Sequence, residues 1–237
     1  INGLGNDVAA VFIEPIQGEG GYIVPPAEFV KGVREICDKY SILLVSDEVQ
    51  SGCYRTGKFL GIENFNVKPD IVCLSKAVGG GLPIGVTLAS SEIMDWVPGS
   101  HANTLGGNLL ACSAGIATLN YFKKKKIWNN VVNIGNFILK KLEKLKKEHE
   151  VMGDVRGIGL MIGTEFVDNK KNKWYNAGFR DKLMYKCKEN GLILLGAGRS
   201  VIRFCPPLIL SKNEANKGLK IFENSAKEVF QKLKQDL

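Results

Sequence analysis

Lys76 and Asp47 are the two residues whose settings ask for chemistry. Lys76 closes the apolar run DIVCLS, residues 70–75, and is followed within three residues by the triplet Gly79, Gly80 and Gly81. An uncharged lysine amine attacks an aldehyde and forms a Schiff base, and burial or nearby positive charge favours that uncharged form. On its own, a lysine at a strand end also reads as a side chain that lays its stem along apolar surface and keeps its charge in water. Asp47 changes the balance. It follows the uncharged run from Tyr40 to Ser46, and a lone carboxylate buried there is costly without a partner. A protonated pyridine nitrogen is such a partner, and an ionised aspartate that keeps it protonated makes the ring a stronger electron sink. Together the two residues point to pyridoxal 5′-phosphate.

These residues must be positioned by the elements that carry them. VAAVFIE (8–14), SILLVSD (41–47) and DIVCLS (70–75) are short, nearly continuous apolar runs, as suits strands buried on both faces. Between the first two, Phe29, Val33, Ile36, Cys37 and Tyr40 recur at helical spacing behind Pro25 and Pro26, and proline favours the first turn of a helix. Strand, helix and strand make a βαβ unit with a right-handed crossover, hence a parallel sheet. Each run ends on a polar residue, Glu14, Asp47 and Lys76 in turn. Parallel neighbours bring those ends to one rim, the carboxyl edge where open α/β sheets bind ligands.

The second half reads differently. Residues 108–148 are helical with a polar break near Lys123–Lys126, and 151–167 are glycine-punctuated and strand-like. A helix over 177–190, short strands near 192–195 and 201–204, and a terminal helix over 212–235 follow. That helix carries Ala215, Leu219, Phe222, Ala226, Val229 and Phe230 on one side. The expected organisation is a large-domain portion over 1–120 with a mostly parallel sheet, and a smaller α+β domain over 121–237.

Bulk properties narrow the function classes. The chain has 237 residues, a formal charge of +8 and 24% charged residues. The lysines cluster in Lys123–Lys126 and Lys140–Lys147, which read as solvated helix faces without interleaved aromatics, so no nucleic-acid partner is expected. Six cysteines without a CxxC pair read as reduced core thiols of a cytoplasmic protein. Two histidines make a histidine-built metal site improbable, and no metal is expected. Residues 96–122 lack Asp, Glu, Lys and Arg but carry glycines, asparagines and serines, which argues against a membrane span. No signal peptide is evident.

Six motifs, EPIQGEGG (14–21), SDEVQSGCYRTG (46–57), LSKAVGGGLPIG (74–85), HANTLGGN (101–108), GDVRGIGLMIG (153–163) and VIRFCPPL (201–208), together resemble the ordered motif set of class III aminotransferases. These are fold-type-I pyridoxal-phosphate enzymes that include 4-aminobutyrate, ornithine and acetylornithine aminotransferases. The resemblance implies that Lys76 holds the cofactor and shuttles the substrate proton, with Asp47 as its pyridinium partner. It implies that Val49 packs on a ring face, that Gln50 lies near the phenolic oxygen, and that Thr104 reaches the cofactor phosphate of a neighbouring subunit, hence a homodimer with shared active sites. Arg203 is implied to bind the substrate α-carboxylate, a match of planar guanidinium to carboxylate. Glu19 is implied to cover that arginine when an ω-amino substrate is bound. Glu14 and Arg55 are read as loop-ordering residues. Cys53, Tyr54 and Leu109 depart from the family pattern, where an aromatic residue, glycine and proline are common. The family's long N-terminal portion, with its phosphate-cradling loop and ring-stacking aromatic, has no counterpart before Ile1. The expectation is therefore that this chain alone binds the cofactor poorly and does not turn over. The reaction implied is transamination from an amino acid, of ω-amino type, to a 2-oxo acid such as 2-oxoglutarate. The alternatives are a racemase of the same family, or a fragment that serves association only.

Overall fold

The computed structural model describes residues 7–235. They divide into two compact units: residues up to Ile16 together with Pro25–Ile127, and Gln17–Val24 together with Trp128 onward.

In the first unit, β1 (Ala10–Ile13), β2 (Leu43–Asp47) and β3 (Ile71–Leu74) are parallel neighbours, and β4 (Val86–Ala89) pairs antiparallel with β3. The α1 helix (Ala27–Lys39) connects β1 to β2. Leu44, Val45, Val72 and Leu74 are buried, as the continuous apolar runs require. An ion pair fixes the crossover: Asp70, just before β3, accepts from Arg34 of α1 at 2.7 Å and from the Leu44 amide at 2.7 Å. Burial pushes the Asp70 carboxyl up, but the Leu44 amide and the Arg34 guanidinium outweigh it and hold it below its ordinary range. The buried side of α1 is Val30 and Cys37, whereas Phe29, Ile36 and Tyr40 of the predicted stripe are exposed. Spacing marks an apolar stripe on a helix but not which part of it meets a partner. The α2 helix (Leu109–Lys125) opens on Asn108, whose side chain accepts from the Ala111 amide at 3.1 Å. The predicted polar break is a single left-handed residue, Lys126 at φ 45°, between α2 and α3 (Ile127–Glu148).

The second unit is built on an antiparallel sheet in the order β5 (Met152–Ile158), β6 (Met161–Phe166), β8 (Val201–Phe204), β7 (Leu195–Ala197). The glycine-punctuated stretch is thus a hairpin of two strands. The strand placed near 192–195 lies instead at Leu195–Ala197, where pairing with Val201–Arg203 sets its register. Helices α4 (Ala177–Glu189) and α5 (Lys212–Gln235) complete the unit. Ala215, Leu219, Phe222, Ala226 and Val229 of α5 are buried as the periodicity predicts.

His149, at the end of α3, stacks on Phe230 at 4.1 Å between centroids, and Phe230 stacks on Phe179 at 4.9 Å. Its Nε2 is buried without a hydrogen-bond partner among the described residues. Burial, outweighing the nearby Glu148, holds the imidazole below its ordinary value of 6.5. A His whose folded pKa is lowered binds fewer protons folded than unfolded just below 6.5, so its contribution is present at neutral pH and lost as pH falls through the lower folded value. Denaturant midpoints measured from neutral pH down to about pH 5 are expected to fall more steeply for the native protein than for a His149→Phe variant. Parallel pH profiles would disprove this role for His149.

Candidate active site

The carboxyl edge of the first sheet collects the residues singled out by type. Ile13 pairs with Ser46 and Asp47 with Cys73, so Glu14, Asp47 and the residues after β3 follow one another along that edge. Asp47 is half-buried, and its Oδ1 accepts from the Val49 amide at 3.0 Å. Lys76 stands three residues beyond Cys73, exposed, at the start of a 3₁₀ turn over Lys76–Gly79. Its φ of 46° places a non-glycine residue in the left-handed region, which costs roughly 1–3 kcal/mol.

The turn after Lys76 explains part of the glycine triplet. Gly80 has φ 59°, and a Cβ there would stand 2.2 Å from Thr118 Oγ1 on α2. The helix passes so close that only a hydrogen fits. Ser75 Oγ donates to the Ile84 carbonyl at 2.7 Å and closes the loop behind the lysine. Val49 and Gln50 lie half-buried in the turn after β2. Thr104 lies in the exposed stretch 101–110 that leads into α2.

Sequence reasoning passed over Glu48. Beside Asp47 it reads as one more polar strand end, yet it is 1% exposed. Its carboxylate accepts from Ser46 Oγ at 3.0 Å, Ser51 Oγ at 2.5 Å, the Gly61 amide at 2.7 Å and the Ile62 amide at 2.9 Å. The last two amides open the 3₁₀ helix Gly61–Phe65, where unpaired N–H groups favour an anion. Glu48 thereby anchors the loop that follows Asp47. In that loop Cys53 and Tyr54 are both left-handed, at φ 54° and 68°. Glycine suits such a position without strain. Here Tyr54 offsets the cost through edge contacts with Phe59 at 5.4 Å and Phe122 at 6.0 Å. Burial and the nearby Glu48 charge push the Cys53 thiol up to about 11, so it stays protonated and inert.

The second unit brings together Glu19 and Arg203. Arg203 lies on β8, and its Nη1 donates to Glu19 Oε1. The arginine side chain is 16% exposed and the glutamate 70%. Burial pulls the guanidinium pKa down, but the bond and charge of Glu19 hold it above the ordinary arginine range. Its Nε is buried without a hydrogen-bond partner among the described residues. Near the same strand end lies an apolar cavity of about 340 Å³ lined by Ile138, Leu192, Leu194, Phe204 and Leu219.

Residues 2–225 match the family model described as Aminotransferase class-III. The chain belongs to the class III aminotransferase family. It is 44% identical over 226 residues to an acetylornithine aminotransferase of Clostridium acetobutylicum, with 94% of this chain and 56% of that protein covered. It is 42% identical over 223 residues to a leucine/methionine racemase of Thermococcus litoralis, covering 94% of this chain and 50% of that one. An amine transaminase from an uncultivated Pseudomonas species, solved in its pyridoxal-phosphate-bound form, superposes with a TM-score of 0.91 at 33% identity, over 97% of this chain and 54% of its own. The chain spans about half the length of the curated relatives it matches. Class III aminotransferases are fold-type-I enzymes that depend on pyridoxal phosphate. The residues of this chain fit that cofactor: an exposed amine and a half-buried carboxylate stand on neighbouring strand ends. Among the described residues no helix is long and apolar enough to cross a membrane, and no three His, Cys, Asp or Glu residues group to hold a metal ion.

Proposed function

We infer that the protein transfers an amino group from an amino acid of the ω-amino type, as in 4-aminobutyrate or ornithine, to a 2-oxo acid such as 2-oxoglutarate. The observation that carries this reading is the Arg203–Glu19 pair: a mostly buried cation covered by one largely exposed carboxylate. A substrate carboxylate replaces Glu19 on the guanidinium. An ω-amino substrate, which presents no α-carboxylate there, leaves Glu19 in place, so the cation is never left bare. One arrangement thus accepts two substrates of different charge. Pyridoxal phosphate, when bound, supplies the electron sink for the electron pair left at the substrate carbon that bears the amino group. Lys76 Nζ takes up the proton from that carbon, and Asp47 holds a proton at the ring nitrogen. Val49, Gln50 and Thr104 contribute to holding the cofactor, Thr104 across a homodimer. Supporting the dimer, Leu105, Leu109 and Leu110 beside Thr104 are 76%, 82% and 75% exposed, more apolar surface than an isolated protein normally leaves in water. Six unpaired cysteines agree with a reducing, cytoplasmic setting.

The test supplies 4-aminobutyrate or ornithine with 2-oxoglutarate and follows glutamate formation. Glutamate is expected with both reactants and absent when the oxo acid is omitted. The identity to a leucine/methionine racemase supports a second reading, in which one enantiomer of an amino acid is inverted without any acceptor. Inversion in the absence of 2-oxo acid selects that reading. If neither product forms, the catalytic assignment falls.

A further inference from the structure

A row of three residues crosses the second sheet. Gly163 on β6 is the register partner of Arg156 on β5 and of Arg203 on β8. The two arginines are employed differently. Arg156 Nη2 donates to the Gly21 carbonyl at 2.7 Å and pairs with Glu165 at 2.7 Å. Its Nε donates to the Tyr22 carbonyl at 3.2 Å, and its Nη1 pairs with Asp154 at 2.9 Å. Arg203 makes one ion pair among the described residues, to Glu19.

The segment that carries Glu19 is therefore fixed by its backbone. Beyond the two carbonyls held by Arg156, the Glu19 carbonyl accepts from the Gly198 amide at 2.7 Å, and Gln17 and Ile23 bond each other at 3.0 and 3.2 Å. Gly163 makes room for it: a Cβ there would stand 3.2 Å from Tyr22 Cβ and 3.3 Å from the Gly21 carbonyl. The Glu19 side chain is 70% exposed, while Gly18, Gly21 and Tyr22 around it are buried. An anchored backbone under an exposed carboxylate lets the carboxylate leave Arg203 and return to the same spot.

We propose that Arg156 is a positioning residue: by clamping the Gly21 and Tyr22 carbonyls it holds Glu19 within reach of Arg203 and so sets the relative affinity for α-carboxylate and ω-amino substrates. This rests on the Glu19–Arg203 reading above. Lysine at 156 keeps a charge beside Asp154 and Glu165, but a single ammonium does not reproduce the planar fork that reaches two carbonyls and two carboxylates.

In the full-length protein, Arg156→Lys is expected to lower the KM for 2-oxoglutarate and raise that for the ω-amino donor, each by about 5-fold, with a smaller change in kcat. The dissociation constant of 2-oxoglutarate by calorimetry is expected to tighten by a similar factor. Glu19→Gln should move the same two values the same way, and the double variant should show less than the sum of the single effects, because both changes act through one contact. Gly163→Ala, which presses the segment from the other side, should act in the same direction if Arg156→Lys folds poorly. Should Glu19→Gln shift the ratio while Arg156→Lys and Gly163→Ala change both substrates equally, the clamp is wrong and the gate stands. An unchanged ratio in Glu19→Gln itself sinks both.

Discussion

Lys76→Ala is expected to lower kcat for transamination by roughly 10⁴-fold and to abolish the visible absorbance of a lysine-linked cofactor, while leaving unfolding unchanged. The two halves of that result have separate causes. The amine is the only group assigned both to attachment and to proton transfer at the amine-bearing carbon, so its loss removes two functions at once. The fold should not notice, because the side chain is exposed and exposed substitutions usually stay within about 0.5 kcal/mol. Alanine also keeps the left-handed strain at φ 46°. Lys76→Gly would relieve it, and is expected to gain about 1 kcal/mol of stability while remaining inactive. Such an outcome would show that the strain is retained for the chemistry. An alanine variant with more than about a hundredth of native activity would remove Lys76 from the mechanism.

Glu48→Ala is expected to cost about 3–5 kcal/mol of stability, read as a lower denaturant midpoint at unchanged slope. Its four donors cannot all reach water, since Ser46 and Ser51 are 0% and 1% exposed and Gly61 is buried too. Each buried donor left without an acceptor costs roughly 1–3 kcal/mol. Glu48→Gln should lose less, because one amide oxygen still accepts, but its NH₂ group then confronts the Gly61 or Ile62 amide. The loss is expected to carry over to Asp47, one residue upstream, as weaker cofactor retention. A loss below about 1 kcal/mol would show that the carboxylate is not the anchor of this loop.

The parts of the fold that could be read in the amino-acid order are those where apolar residues are continuous or periodic. Strands β1 to β3 stand out as unbroken apolar runs, and the polar residue that ends each is conspicuous, but cover on both faces is met in β2 alone: β1 holds no buried residue and its Phe12 is 72% exposed. That is why Asp47 and Lys76 could be picked before any coordinates. Strand β4 was not legible: Val86–Ala89 is four residues long, and Thr87 and Leu88 are both exposed, so neither alternation nor continuity marks it. The face of α1 was read in part: Cys37 of the predicted stripe is buried, but Phe29, Ile36 and Tyr40 keep the same spacing and are exposed, and Val30 is buried outside it. Glu48 and Arg156 were missed for a deeper reason. Their value lies in partners far along the chain, the Gly61 and Ile62 amides for one, the Gly21 and Tyr22 carbonyls for the other. Backbone amides and carbonyls have no letter of their own in a sequence. The Glu19–Arg203 pair is equally distant, yet it was expected, because the resemblance to class III aminotransferases implies it and nothing in the spacing does.

Because the eight residues from Gln17 to Val24 complete a unit otherwise made of Trp128 onward, the piece that carries Glu19 must wait during synthesis. Ribosomes deliver it before β5, β6 and β8, against which it settles and which emerge more than a hundred residues later. Closing so long a loop carries an entropic charge that only the finished sheet repays. Under the proposed function, selectivity for one nitrogen donor over another would then be among the last properties a newborn molecule acquires, fixed when β5, β6 and β8 fold and not when the segment of Lys76 does.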